Sequence, residues 1–509
     1  MEAFLEYSDQ FRGPYWLIGL RLAVILILVW TFAPRLAKRL HEHESDEKNL
    51  SGWTWFIALI AFAVLFSAGM LRHLSFHSKA WDLAIFDQVV WNLAHGNGWE
   101  CSVRNLHDLR GDHFEPILLL FVPFYIVLPH VGWLLGFQSA ALVGTGMILR
   151  NIYRERIGET CSFLLFLGFC LYAPLHWLVL ADFHPIAIAP FFIAIGWHGS
   201  RRNSLFILLV GLIGMSLCGE EALIVAGWWG FWEFISRTPW RKKLDDDHPP
   251  EYKSLGWSGL TLLFIFWAGF VWLSVYYIPS YRPPGEDYFY IHRYGYLGDS
   301  VWEIARNFFL KPFIWIRYAF DSRGIALLAL YLIPLGLIPL KRIGVLWIFL
   351  PTILYTLLSV SPEQRSIFHQ YTAIWIPFLF IACGEALDIQ RNTASWRMEH
   401  RMNPRLVTYR RASAVFIASM LGMLMFSPII GFSMHPELLT PEKWASEAMG
   451  IVNSVGPDEF ISAPSALCPH LSHRRVLLLQ MDDDRQEQRI KEEWAANGEV
   501  NVLPEFPPE

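Results

Sequence analysis

Runs of about 20 mostly apolar residues recur from one end of this chain to the other, and no other feature constrains its fold as strongly. At 1.5 Å per residue, a helix of ~20 residues crosses the ~30 Å hydrocarbon core of a bilayer. Inside lipid each backbone N–H and C=O must be paired within its own segment, so such runs read as transmembrane helices. They predict about twelve spans, at 15–34, 53–71, 131–149, 159–175, 185–199, 204–218, 222–236, 255–278, 324–340, 343–360, 371–388 and 412–433. Only 17% of the 509 residues are charged, against roughly 25% in soluble domains. Lipid, not water, therefore solvates much of the surface, and the expectation is an all-α polytopic membrane protein with no nucleic-acid partner. The opening 14 residues are polar and acidic, and the first apolar run ends at Pro34-Arg35 with no small-residue cleavage site, so no cleavable signal is expected.

The stretch 114–129 is apolar too, and whether it crosses decides which loops share a side. Lys and Arg concentrate in cytoplasmic loops. The basic loops at 35–48, 150–156, 201–202, 237–243, 341–342 and 391–411 all fall on one side only if 114–129 does not cross. It is then a juxtamembrane or re-entrant helix on the outer side, broken by Pro123 and Pro129. Both termini and the segments 72–130, 279–323, 361–370 and 434–509 lie outside. The alternative, a crossing 114–129, would leave Arg150, Arg154 and Arg156 outside.

The outer face then holds the polar chemistry. Loop 72–130 carries Asp82, Asp87, Gln88 and the "GDHFEP" turn with Asp112 and His113. "DFHP" supplies His184, "CGEEA" supplies Glu220 and Glu221, "YIHRYGYLGD" supplies Arg293 and Tyr294, and 361–370 supplies Arg365 and His369. Carboxylates beside a bilayer are costly unless paired or wetted, so several on one face point to a site. Plainer readings stand beside this one: Asp82 or Asp87 caps an interfacial helix, Pro116 merely opens the next helix, and His184 only starts one. Asp82 and Asp87 lie five residues apart, about 500° of helical turn, so one is expected to face a cavity and the other to brace the loop. The six cysteines show no metal-type spacing, and a bridge between Cys101 and Cys468 stays open.

The blocks "WDLAIFDQVVWNLAHGNG", "GDHFEPILLLFVPFYIV", "DFHP", "YGYLGDS", "HQYTAIWIPFLF" and "SALCPHLSHRRV" occur in order over residues 75–480. In this they resemble a large bacterial family of predicted polytopic membrane proteins, described as a domain of unknown function. That family is similar to the GT-C glycosyltransferases, which use lipid-linked sugars. The resemblance implies an inner-membrane enzyme with an extra N-terminal helix and basic loop (1–50), a GT-C-like transmembrane domain (51–433), and a small outer α/β region (434–509).

It also implies transfer of a sugar from a polyprenyl-phosphate donor to an extracytoplasmic acceptor. Asp82 falls at the acidic position of the first outer loop, Gly96 at its helix end, and "DHFEP" replaces a Pro-Pro-Leu block. No adjacent Asp-Glu pair stands at 82, a departure from the pattern. Asp82 is expected as the general base, its pKa raised by partial burial, with Asp87 as substitute. Asp112 and His113 complete the acceptor side or hold a divalent cation (Mg or Mn). Arg293, helped by Tyr294 and His369, is the expected phosphate clamp and Arg365 its rival. Gln88, His184, Glu220 and Glu221 are expected to bind substrate. Two other readings remain: a non-catalytic accessory subunit in contact with another membrane protein, and a transporter or lipid flippase.

Overall fold

The computed structural model describes residues 9–14, 16–43, 49–236, 257–282, 289–388, 403–480 and 500–503. The expected basic loop at 237–243, most of that at 391–411, and the expected tail helix at 485–496 lie outside the described residues.

Among the described residues, six helices are long and apolar enough to cross a membrane: Trp16–Glu42, Ser51–Leu74, Gly132–Cys170, Trp257–Tyr281, Ile338–Leu357 and Gln370–Leu387. A bent pair, Pro312–Ala319 and Ser322–Leu335, turns by 56° and makes a seventh if counted as one span. Their outward faces are what lipid demands. Trp53, Trp55, Phe56 and Leu59 stand exposed on Ser51–Leu74, and Phe264, Ile265 and Trp272 on the helix from Trp257.

The count of twelve is not reached by length alone. Three expected spans are helices of 14, 12 and 16 residues (Ala189–Arg202, Leu205–Ser216 and Glu221–Ser236), and 12 residues reach only about 18 Å. Local chemistry cuts them short. Asn203 adopts a left-handed conformation (φ 55°) after the first, and Ser204 caps the second by accepting from Ile207 N–H. The expected pair 131–149 and 159–175 is found as two helices within Gly132–Cys170 that meet at a break at Gly158, whose φ of 84° suits glycine. The last expected span begins earlier than its apolar run, at Pro404, because Asn403 caps Arg405 N–H and proline is favoured in the first helical turn.

Stretch 114–129 does not form a spanning helix. Pro116 opens a short 3₁₀ turn to Leu120, and the helix Val122–Val127 has six residues, about 9 Å. Its outer surface is apolar, with Leu119, Ile126, Val127 and Leu128 all at least half exposed. At this length it is too short to cross a bilayer.

After residue 434 the chain builds a small α/β unit. Three parallel strands, β1 (Phe460–Ala463), β2 (Leu477–Leu479) and β3 (Val500–Val502), pair in the order β2-β1-β3, with Ile461 opposite both Leu477 and Asn501. Helices Ala445–Ser454 and Cys468–Leu471 accompany them. The unit is bonded to the first loop. The Ser102 hydroxyl donates to Leu477 O (2.9 Å) and accepts from Leu477 N–H (2.8 Å), while Gln88 Nε2 donates to Ser102 Oγ and to Arg474 and Arg475 carbonyls. All six cysteines are free thiols, Cys101 and Cys468 included.

Candidate active site

A cavity of about 250 Å³ opens where the first loop, the turn before Glu221 and the 289–294 segment meet. Seven of the twelve residues nominated from the sequence line it: Asp82, Asp112, His113, His184, Glu220, Glu221 and Arg293. Residues that drew no attention in the sequence line it with them, above all Arg104, Glu115, Tyr290 and Tyr371.

Asp82 sits in a π-helical turn, Ala80–Ala84, that runs into helix Ile85–Ala94. Such one-turn widenings re-aim a side chain, and they recur at functional sites. The carboxylate is 35% exposed and its Oδ1 lies 3.2 Å from His184 Nε2. His184 is placed by its backbone N–H, which donates to Gln138 Oε1 (3.2 Å); Gln138 Nε2 in turn donates to Asp182 O (3.3 Å). Asp182, at φ 61°, is a hub that accepts from Arg72 Nε, Ser78 Oγ and Lys79 N–H. Burial alone would raise the Asp82 pKa, but the His184 hydrogen bond and the charges of His184, His369 and Arg72 together hold it below its ordinary value. This corrects the expectation of a carboxyl raised toward neutrality. Asp82 is an ionised carboxylate in a pair with histidine.

His113 stands at the centre of the opposite wall. Its Nδ1 meets Glu220 Oε1 at 3.0 Å, its Nε2 meets the Tyr290 hydroxyl at 2.7 Å, and the Tyr290 ring stacks on it at 4.8 Å. Glu220 Oε2 also accepts from Phe114 N–H (3.0 Å). Asp112 accepts from Arg104 Nε (2.8 Å) and from Tyr290 (3.3 Å), and the Arg104 guanidinium lies over the Trp81 ring at 4.9 Å. Burial would depress the His113 pKa, yet Tyr290, Glu220 and Asp112 lift it well above 6.5, so the ring is an imidazolium at neutral pH. Glu220 is correspondingly held down by His113 against its own burial, and Asp112 by His113, Arg104 and Arg282. Glu115 goes the other way. Burial, with Glu220, Glu221 and Asp112 around it, pushes its carboxyl well up, and its Oε2 is buried without a hydrogen-bond partner. Its surroundings therefore favour the proton-bearing form of Glu115 in the cavity wall.

Both His113 nitrogens thus face protein groups and Asp112 faces Arg104, so the donor pair named for a divalent cation is already engaged. Among the described residues, no group of three His, Cys, Asp or Glu side chains is placed to hold a metal ion.

A Glu220→Gln exchange tests the ion pair through pH. His113 has a raised folded pKa, so its stabilising share is fully present below about pH 6.5 and is lost as pH rises through the raised value. Glu220 has a depressed one, so its share is present above about pH 4.5 and is lost as pH falls through the depressed value. The drop in thermal midpoint caused by the exchange is expected to be largest between about pH 5 and 7 and to shrink at alkaline pH. A penalty unchanged from neutral to strongly alkaline pH would contradict the pair.

Arg293 closes the third side. Its Nη1 donates to Gln364 Oε1 (2.9 Å), and its guanidinium lies 4.6 Å from the Tyr290 ring centre and 5.4 Å from that of Tyr371. The backbone is fixed by Val360 N–H donating to Arg293 O (2.9 Å). Among the described residues this guanidinium forms no salt bridge with a carboxylate; its charge is felt by Glu221, in the cavity wall, and by Glu363.

Five nominated residues lie outside the cavity wall, each for a visible reason. Asp87 is 1% exposed and accepts from the Tyr125 and Ser472 hydroxyls, with His473 Nε2 at 3.1 Å. It ties the first loop to the C-terminal unit and does not line the cavity. Gln88 is spent on the Ser102 and Arg474–Arg475 contacts. Tyr294 donates to Tyr355 O (3.0 Å) and accepts from Gln364, so it braces the Arg293 loop. Arg365 Nη1 pairs with Asp321 (3.1 Å) and its Nη2 donates to Tyr318 O (3.0 Å), which removes it as the rival clamp. His369 influences Asp82 electrostatically from beside the wall residue Gln370.

Asp87→Asn is expected to lower stability by about 1–3 kcal/mol, because a buried hydrogen-bonded charge is lost and its donors are left mismatched. Limited proteolysis after residue 434 should speed up while the Asp82 cavity stays formed; unchanged proteolysis would deny the tie.

No curated protein matches the chain. Two solved structures are similar over 89% of this chain and 90% of theirs, each with a TM-score of 0.49: ArnT from Cupriavidus metallidurans bound to undecaprenyl phosphate, at 13% identity, and the same protein in the apo state, at 15%. The model of a family of predicted membrane proteins, DUF2079, matches residues 72–498, which takes in the whole cavity and the strands of the outer unit up to β2. Covering most of the chain as it does, that match shows that the protein belongs to the DUF2079 family of predicted membrane proteins.

Proposed function

We propose that this protein is a membrane glycosyltransferase that moves a sugar from a polyprenyl-phosphate donor to an acceptor hydroxyl or amine on the outer face of the bacterial inner membrane. One observation carries the reading: the Asp82–His184 pair and the Arg293 guanidinium open onto the same small cavity. A base and a phosphate clamp on one void suit transfer of a group out of a phosphate ester.

In this reaction the ionised Asp82 accepts the proton of the acceptor. The acceptor oxygen or nitrogen bonds to the anomeric carbon of the sugar as the bond from that carbon to the phosphate oxygen breaks. The departing polyprenyl phosphate takes both electrons of that bond, and Arg293 meets its growing charge in a setting where hydrogen-bonding cations count for more than in water. An oxocarbenium-like transition state does not demand a strong base, so a carboxylate held low by His184 serves, provided it is ionised. His184 keeps Asp82 oriented, and neutral Glu115 supplies a donor to a sugar hydroxyl or to the leaving phosphate. Asp112 and Arg104 shape the acceptor side. A divalent cation has a place in this scheme only where an incoming phosphate displaces Arg104 from Asp112.

The test is transfer of radiolabelled sugar from synthetic polyprenyl-phosphate donors by the protein reconstituted in lipid vesicles, with the Asp82→Asn chain in parallel. Donor-dependent transfer that Asp82→Asn abolishes upholds the reading. Donor binding without turnover in either chain would favour the accessory-subunit reading instead.

A further inference from the structure

Helices Trp16–Glu42 and Pro404–Phe426 pack antiparallel. At one end Arg21 Nη1 donates to Met425 O (2.9 Å); at the other, the His41 and Tyr409 rings approach to 5.8 Å and His41 meets the Asn403 amide at 3.3 Å. Between them, toward the His41 end, lies a groove of about 660 Å³. Leu26, Val29, Trp30 and Ala33 give it one apolar wall, at the i, i+3, i+4, i+7 spacing of a single helix face. The floor is a tight turn in which two successive residues, Gly336 (φ 62°) and Leu337 (φ 58°), are left-handed. For leucine that conformation is unfavourable, and it holds Leu337 on the groove.

The polar end of the groove is basic. Lys341, Arg410 and Arg411 line it, and no acidic side chain does. Arg411 donates to Ala386 O, whereas Lys341 and Arg410 are exposed and make no ion pair among the described residues. Arg35, Lys38 and Arg39 follow the apolar wall on the same helix. The Asp82 cavity belongs to the other end of this helix pair. Phe11, whose carbonyl accepts from Arg21, packs on Phe368 (5.2 Å), the neighbour of His369.

We propose that this groove binds one anionic phospholipid, in the leaflet opposite the Asp82 cavity. Its acyl chains lie along the Leu26–Ala33 face and its phosphate sits between Lys341 and Arg410. In a bilayer an apolar trough of this size is filled by lipid in any case; the uncompensated cations select the headgroup by charge, as basic pockets between transmembrane helices do. The helix Trp16–Glu42 lies outside the family match at 72–498, whereas the floor and the basic end of the groove lie inside it.

The test is native mass spectrometry of the full chain in detergent, titrated with phosphatidylglycerol and, separately, phosphatidylcholine. Phosphatidylglycerol is expected to occupy one site at least about tenfold more tightly. Replacing Lys341→Gln and Arg410→Gln together should weaken that binding about tenfold to thirtyfold, at roughly one surface charge contact each, and leave phosphatidylcholine unchanged. Ala414→Phe keeps every charge and fills the groove, and it should also remove the site. Equal affinity for the two lipids, or wild-type phosphatidylglycerol binding by the double variant, would overturn the proposal. So would its retention by Ala414→Phe, which would leave only a diffuse basic surface; should that variant not fold, the double variant decides alone.

Discussion

Asp82→Asn is expected to lower the turnover of sugar transfer by about 10²–10⁴-fold, the usual share of a positioned general base, with little change in donor affinity. The amide has nearly the same shape and keeps a hydrogen bond with His184, so the cavity and its phosphate clamp stay in place. What it lacks is a basic oxygen 3.2 Å from the imidazole. The pH profile separates this role from a structural one. Asp82 is held below the ordinary aspartate range, so the wild-type rate should show no acid limb from this group between about pH 5 and 7. A variant that turns over at the wild-type rate, or a rate that falls by half between pH 7 and 5 with Asp82 as its source, would sink the assignment.

Arg293→Ala should be nearly as damaging, with a different signature. Removing a preorganised donor from a site of developing negative charge costs about 10²–10³-fold, here spread over a raised KM for the donor and a lowered kcat. Arg293→Lys should recover only part of it. A lysine ammonium supplies the charge, but it lacks the planar fork and the flat face that rests between Tyr290 and Tyr371. Arg365→Gln is the matched control. It leaves Asp321 without its cation and should lower the thermal midpoint while sparing the KM for the donor. If Arg365 and Arg293 variants changed KM alike, the clamp would not be local to Arg293.

Residue type and cost were legible along the chain, and partnership was not. The long apolar runs led to helices because lipid leaves so few alternatives, and charge bias alone argued that 114–129 does not cross, in line with its helix of only six residues. Glu220 and Glu221 were nominated because two acids between short apolar helices are too costly to be filler, and both line the cavity. Arg293 and Arg365 looked alike in sequence because nothing local reveals that Asp321, 44 residues earlier, neutralises one of them. Asp87 and Gln88 looked like site residues for the same reason; their partners lie about 385 residues away. Glu115 was passed over inside a motif read for Asp112 and His113, although a carboxylate directly before a proline and a long apolar run already carried the warning. The helices Ala189–Arg202, Leu205–Ser216 and Glu221–Ser236 fall within a few residues of the expected 185–199, 204–218 and 222–236; hydropathy does not register the left-handed Asn203 and capping Ser204 that set the ends between the first two.

The bonds between Ser102 and Leu477 also set an order of events in biogenesis. The first loop leaves the ribosome hundreds of residues before its partner strand does, and until then Asp87 has only Tyr125, and Gln88 and Ser102 only each other and Val103, of the partners they hold in the finished fold. Loop closure over that distance adds little equilibrium cost but makes the contact a late one. The contact between the first loop and the C-terminal strands therefore matures only after residue 477 has been made. A chain cut short before residue 460 would form its helices and leave Gln88 and Ser102 without these partners.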